Sequence, residues 1–208
     1  RFRLEAQLSA RLATGTKHMV AVHDAGVHRG RPYLVMEYAP GRSLQDLIDE
    51  RGRLRAHELV DILGQIGEAL DAVHRAGYVH RDVKPGNILF VEGDAAGPRI
   101  KLADFGVAKP ASGAAPPRDL VAPKQTAEGL VVGSPAYMSP EQISGLEGVS
   151  GASDRWALGV VAYESLTGWL PFGGESLTDF ALAITTRAPD PVSGVVEGLP
   201  RALDAFFD

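Results

Sequence analysis

From His57 to Ala76, the residues Leu59, Ile62, Leu63, Ile66, Leu70 and Val73 fall on one helical face, and Gly77 closes the run. No other stretch constrains the fold as strongly. A helix with one apolar stripe has to lay it against a second layer. The next residues offer that layer: Tyr78–His80, Ile88–Val91 and Ile100–Ala103 read as three short apolar strands, each beside a loop that carries an acid. Gly64 and Gly67 interrupt the helical run at about 1 kcal/mol each, and are expected to permit close packing. The expected fold class is α+β.

Composition narrows the chemistry. Of 208 residues, 45% are hydrophobic and 23% charged, which excludes wholesale disorder, while 24 Gly and 14 Pro point to a loop-rich protein. The net charge of −5 leaves no basic footprint for nucleic acid, so no nucleic-acid partner is expected. Cys is absent, which excludes disulfides, thiolate catalysis and Cys-based zinc sites. Apolar runs such as Trp156–Tyr163 are too short to cross a bilayer, so no membrane contact is expected within this chain. The chain starts at Arg1 without Met or a signal-peptide pattern, and reads as a fragment.

Elsewhere the elements are shorter. Leu4, Leu8 and Leu12 suggest a helix over residues 1–13. Val20–Asp24 and Tyr33–Tyr38 read as strands of a hairpin turning at residues 28–32. Pro40-Gly41 breaks the chain, and Ser43 with Asp46 resembles a capping box. Regular periodicity is lost between Val107 and Ser139. Helical patterns return at Asp154–Thr167, Ser176–Thr186 and, behind Pro200, Arg201–Phe207. There is no internal repeat.

The densest group of chemically useful side chains is His80-Arg81-Asp82-Val83-Lys84-Pro85-Gly86-Asn87, a loop held at both ends by strands. Asp82 and Lys84, two residues apart, can face the same side of an extended segment. Asn87 offers an amide oxygen, and Asp104-Phe105-Gly106 follows a later strand. A carboxylate that can take a proton, an ammonium and two hard oxygen ligands describe a site for Mg2+ and phosphate.

On these residues the sequence resembles the eukaryotic-type (Hanks-type) serine/threonine protein kinases. The pattern H-R-D-x-x-x-x-N runs complete from His80 to Asn87, and D-F-G stands at 104–106. The family's A-P-E is similar to Ser139-Pro140-Glu141, preceded by Gly133-Ser134-Pro135-Ala136-Tyr137-Met138. Asp154-Arg155-Trp156-Ala157-Leu158-Gly159 also looks like the family pattern, Met36-Glu37-Tyr38-Ala39 is similar to the hinge, and Arg1–Ala6 to the start of the family's C helix. The Arg-rich, Ala-rich style looks bacterial. The resemblance implies a two-lobed kinase-like fold. Residues 1–36 would be a partial N-lobe (the C helix with the fourth and fifth strands), 37–41 the hinge, and 42–208 a mainly helical, incomplete C-lobe with its activation segment at 104–141.

The resemblance also implies roles. The activity would be transfer of the γ-phosphate of ATP to Ser/Thr hydroxyls of protein substrates. Asp82 would be the base and Lys84 would offset charge on the transferring phosphoryl group. Asn87 and Asp104 would hold Mg2+. Glu37 and Ala39 would meet adenine through their backbone, over a floor that includes Leu89. Glu5 would be the ion-pairing Glu of the C helix, and Ser134 would hydrogen-bond near Asp82. Arg81 implies control by activation-loop phosphorylation, with Thr126 the candidate phosphosite and Ser112 the less favoured one. Glu141 would anchor its loop through an Arg beyond residue 208.

Other residues are read as structural. His80 is a packing residue, Phe105, Trp156 and Trp169 are core, and the other five histidines lie at the surface. The Gly-rich loop and the phosphate-binding strand Lys of the family lie outside this chain, so the fragment alone is expected to be inactive. A cytoplasmic location is expected for this domain, with larger membrane-anchored architectures open. The oligomeric state stays open. Two alternatives remain: a pseudokinase or docking module, which intact Asp82, Lys84, Asn87 and Asp104 disfavour, and a small-molecule phosphotransferase, which Lys84 and the long 104–141 segment disfavour.

Overall fold

The computed structural model describes residues 16–94, 97–104, 109–110, 124–125, 131–132, 135–145 and 148–207. The helix expected over residues 1–13, with Glu5, lies outside the described residues. The first hairpin forms as the sequence suggests but turns more tightly. β1 (Val22–His28) pairs antiparallel with β2 (Arg31–Met36), and His28 faces Arg31. Only Arg29 and Gly30 make the turn, with φ of 49° and 76°, as the two left-handed positions of a type I′ connection require.

Ser43 caps α1 (Leu44–Arg51) with the predicted box: its side chain accepts from the Asp46 N–H, while the Asp46 carboxylate accepts from the Ser43 N–H at 2.8 Å. The long amphipathic helix is α2 (Ala56–Arg75), which buries Leu59, Ile62, Ile66, Ala69, Leu70 and Val73. Burial of each of the larger side chains stabilises by roughly 1.5–3 kcal/mol. Leu63 sits only partly buried at the edge of the stripe. Gly64 and Gly67 do not permit close packing, contrary to expectation, because a Cβ at either position would meet nothing within 4 Å. They lie off the apolar stripe, so no partner approaches them.

After α2 come β3 (Tyr78–Val79), a 3₁₀ turn at Pro85–Asn87, and the antiparallel pair β4 (Ile88–Asp94) and β5 (Gly97–Leu102). Ile88, Ile100 and Leu102 join the α2 stripe in one core with Leu44, Leu47 and Ile48 of α1. Among the described residues after Val107 there are three short strands. β6 (Lys109–Pro110) pairs with β3, and β7 (Lys124–Gln125) pairs with β8 (Val131–Val132). Backbone pairing alone makes these two-residue strands, so no side-chain periodicity marks them.

A 3₁₀ turn at Pro135–Tyr137 and α3 (Pro140–Ile143) lead to α4 (Gly151–Thr167). Ser150 caps α4, whose first residue, Gly151, lies three residues before the Asp154 start expected from sequence, and Gly168 ends it in the left-handed conformation at φ 79°. From Val160 to Thr167 every residue of α4 is buried, so this helix runs through the domain rather than along its surface. Ala157, Val161, Ala162 and Leu166 complete the core around α2.

α5 (Leu177–Thr186) is capped by Ser176 with a box to Asp179. The short α6 (Val192–Val195) was not expected from sequence, and the Arg201–Phe206 run is 3₁₀ rather than α-helical. Trp156 is partly buried and stacks on Phe172 at 5.9 Å between centroids. Trp169 is not core, being 72% exposed. It follows the α4 cap, where the chain turns outward with the Thr167 hydroxyl bonded to the Trp169 backbone. Two histidines also depart from the expected surface position: His18 is buried, and His74 is largely covered by Asp154.

Candidate active site

The loop between β3 and the 3₁₀ turn places its chemistry through backbone constraints. Arg81 has a φ of 71°, a conformation that costs a non-glycine residue energy unless its surroundings hold it there. The Arg81 N–H donates to Asp154 Oδ1, and the neighbouring His80 N–H donates to Asp154 Oδ2, both at 2.8 Å. The kink turns the next residues outward. Asp82 is 35% exposed and Lys84 26%, so both remain within reach of a ligand.

Asp82 is the focus of the loop. Lys84 Nζ lies 3.0 and 2.8 Å from its two carboxylate oxygens, and Asn87 Nδ2 donates to Oδ2 at 2.9 Å and to the Asp82 carbonyl at 2.8 Å. The two-residue spacing therefore puts the ammonium and the carboxylate on one side, as the sequence suggested. These bonds orient the Asn87 amide.

Asp104 reaches the same end of the domain through the sheet. The Ile88–Leu102 pairing sets Asn87 opposite Ala103, whose N–H donates to the Asn87 carbonyl at 2.7 Å. Asp104 follows directly, exposed and with φ 51°. An amide oxygen and a carboxylate are hard donors that fit Mg2+. Among the described residues no group of three or more His, Cys, Asp or Glu gathers as a metal cage.

His80 is fully buried, and its pKa is lowered by burial against the opposing charges of Asp154, Asp82 and Asp104. It is a packing residue. Arg81 is half-buried, burial pulls its pKa down against the pull of Asp154, and its Nε has no hydrogen-bond partner among the described residues.

At the other edge, Glu37 follows β2, and its N–H donates to the Ala21 carbonyl at 2.8 Å. Ala39 and Leu89 are partly buried, and Leu89 bridges to Ser43. Thr126, Ser134, Ser112, Phe105 and Gly106 lie outside the described residues.

Three residues take positions that local sequence did not assign. Asp154 holds the loop from α4, with His74 Nε2 at 2.7 Å on the same carboxylate. Gly151 makes room for that contact, because a Cβ there would stand 2.8 Å from the His74 ring. Gln142 of α3 donates to the Arg81 carbonyl at 3.3 Å. Lys101 binds Glu37 at 2.6 Å. The only sequence signal for any of them was Asp154 at the head of a recognised helix pattern.

Around the site, Tyr137 donates to buried Glu164 at 2.6 Å, and burial together with that carboxylate pushes the Tyr137 pKa well up. Glu141 accepts from the Ser153 hydroxyl. Burial would raise the Glu141 pKa, but hydrogen bonds from Ser153, the backbone and Ser139 outweigh it and hold it below the usual range.

Comparison with known proteins places the chain in a family. The family model of the protein kinase domain matches residues 1–190. The chain is 40% identical over 202 residues to the serine/threonine-protein kinase Pkn1 of Myxococcus xanthus, covering 97% of this chain and 28% of that protein. It is 40% identical over 205 residues to the serine/threonine-protein kinase PknL of Mycobacterium tuberculosis, covering 98% of this chain and 47% of that protein. With PknA of Corynebacterium glutamicum the identity is 38% over 211 residues, covering 98% and 41%. The chain thus spans less than half the length of these relatives. With the family model covering most of its length, the chain belongs to the protein kinase domain family.

Proposed function

We propose that the protein carrying this domain transfers the γ-phosphoryl group of ATP to Ser or Thr hydroxyls of protein substrates. The observation that carries this reading is the convergence of Lys84 Nζ and Asn87 Nδ2 on the Asp82 carboxylate, beside a β-hairpin end that presents Asp104. Asp82 orients the acceptor hydroxyl and takes its proton as the new O–P bond forms and the bond to the leaving ADP oxygen breaks. Lys84 moves its ammonium toward the transferring group and offsets its charge. Asn87 Oδ1 and the Asp104 carboxylate hold Mg2+, which when bound neutralises charge on the phosphates.

The hinge backbone at Glu37 and Ala39 faces adenine over Leu89. Residues 1–36 act as part of the N-lobe, 37–41 as the hinge and 42–208 as the C-lobe, with Glu5 pairing a Lys of the N-lobe. Arg81, half-buried and with no partner for its Nε among the described residues, pairs a phosphate on the 104–141 segment, with Thr126 the candidate acceptor. Ser134 supports Asp82. The domain works in the cytoplasm, where ATP and protein substrates are available. No helix among the described residues is long and apolar enough to cross a membrane.

The test uses the complete protein with Mg2+ and γ-labelled ATP, beside an Asp82→Asn variant. Label should appear on protein with the wild type and fall about 10²–10⁴-fold with the variant. Label on neither, with no ATP bound, would favour a docking module.

A further inference from the structure

The strand that delivers Asp104 is tied by its side chain to the residue that opens the hinge. Lys101, in β5, places Nζ 2.6 Å from Glu37 Oε2 and 3.3 Å from the Met19 carbonyl. The same Glu37 oxygen accepts from the Ala21 N–H at 3.2 Å. Between these two elements runs the 18–21 segment. Leu102 N–H donates to the His18 carbonyl at 2.9 Å, Val20 N–H to the Leu102 carbonyl at 3.0 Å, and Glu37 N–H to the Ala21 carbonyl at 2.8 Å. Backbone bonds thus run from β5 through this segment to Glu37, and the Lys101–Glu37 pair spans the same gap through side chains.

The pair is sheltered, with Lys101 15% and Glu37 30% exposed. Burial would raise the Glu37 pKa, but the Lys101 hydrogen bond, the Ala21 N–H and the charges of Lys101 and His23 outweigh it, leaving it below the usual carboxylate range. A half-buried, charge-assisted hydrogen bond of this kind is stronger than a surface pair.

Its position gives the pair a consequence for binding. Lys101 lies three residues before Asp104 and directly opposite Leu89 in the β4–β5 register. A nucleotide that meets the backbone at Glu37 and, through a cation, Asp104 needs those two points at a fixed separation. Preorganising them lowers the ordering cost of binding.

We propose that Lys101 is a positioning residue for the nucleotide, acting through Glu37 to fix the hinge relative to the strand that carries Asp104. This rests on the reading of ATP as the phosphoryl donor.

The test is calorimetric titration of the complete protein with MgATP, together with steady-state kinetics, for wild type, Lys101→Met, Lys101→Arg, Glu37→Lys and the charge-swapped Lys101→Glu/Glu37→Lys protein. Lys101→Met should raise Kd and KM for ATP roughly 5- to 10-fold. The loss should fall on ATP rather than on kcat or on KM for the protein substrate. Lys101→Arg should recover most of the affinity. If Lys101→Met proves too unstable to titrate, the charge-swapped protein decides: ATP affinity near wild type supports the pair, and affinity as poor as for Glu37→Lys alone overturns it. Wild-type binding of ATP with an equal Kd for Lys101→Met overturns the inference and leaves the phosphoryl-transfer reading standing. A wild type that binds no ATP overturns that reading, and the inference with it.

Discussion

The carboxylate of Asp154 accepts the backbone N–H groups of both His80 and Arg81 at 2.8 Å while having no exposed surface of its own. A residue in the first turn of α4 thereby holds the loop that carries Asp82, and holds it at the point where Arg81 takes a left-handed conformation. The shape of the candidate active site depends on a residue of another element, buried behind the loop.

Asp154→Ala should therefore damage both stability and activity. It removes two charge-assisted hydrogen bonds, each worth roughly 1.5–3 kcal/mol, and leaves their donors and His74 without a partner. The expected loss is on the order of 3 kcal/mol in urea denaturation, with phosphoryl transfer falling more steeply than ATP binding. An unchanged unfolding midpoint would show that the loop does not need this anchor.

Tyr137→Phe should cost more at neutral than at acid pH. Burial raises the Glu164 pKa and the Asp49 charge adds to the rise, while hydrogen bonds from Tyr137 and Gln45 oppose it. A carboxyl whose pKa is raised in the folded state binds more protons folded than unfolded. Its contribution to stability is thus greatest below the unfolded pKa and is lost as pH rises through the folded one. Removing the Tyr137 donor raises the folded pKa further and strands the charge, at about 1–3 kcal/mol near pH 7.5. Denaturation at pH 5 and pH 7.5 checks the difference, and equal losses at both would contradict it.

Gly64→Ala should stabilise the domain by up to about 1 kcal/mol. The position is exposed within α2, and a Cβ there meets nothing within 4 Å. Thermal denaturation of the protein with and without the change measures it. A loss of stability would mean that something packs on this face after all.

Trp169 and Trp156 should report different surroundings. In a Trp156→Phe protein the emission from Trp169, 72% exposed, should lie near that of free tryptophan and be quenched by iodide. In a Trp169→Phe protein, Trp156 stacked on Phe172 should emit further to the blue and resist quenching. Trp169→Gln should change stability by no more than about 0.5 kcal/mol.

Much of the fold was legible because it rests on contacts three or four residues apart. The α2 stripe, the Ser43–Asp46 box and the first hairpin are local solutions to local sequence. The candidate site was legible for a related reason: Asp82, Lys84 and Asn87 meet within one loop, so their spacing alone brings them together. Trp169 and His18 were misplaced because side-chain character says what burial would gain, not which residues the chain path covers.

By itself the sequence marked α1, α2, α4 and α5, the Ser43 cap, the constellation of Asp82, Lys84 and Asn87 within one loop, and the family it resembles. Only the tertiary structure decided what holds that constellation in place. Asp154 reaches His80 across 74 positions, and Lys101 reaches Glu37 across 64. A lone Asp at a helix start or a lone Lys in a strand carries no periodic signal of its partner. Their pairing follows from how α4 passes beneath the loop and how the 18–21 segment joins β5 to Glu37. Such packing is set by the whole chain, because no single turn or strand encodes where another will cross it.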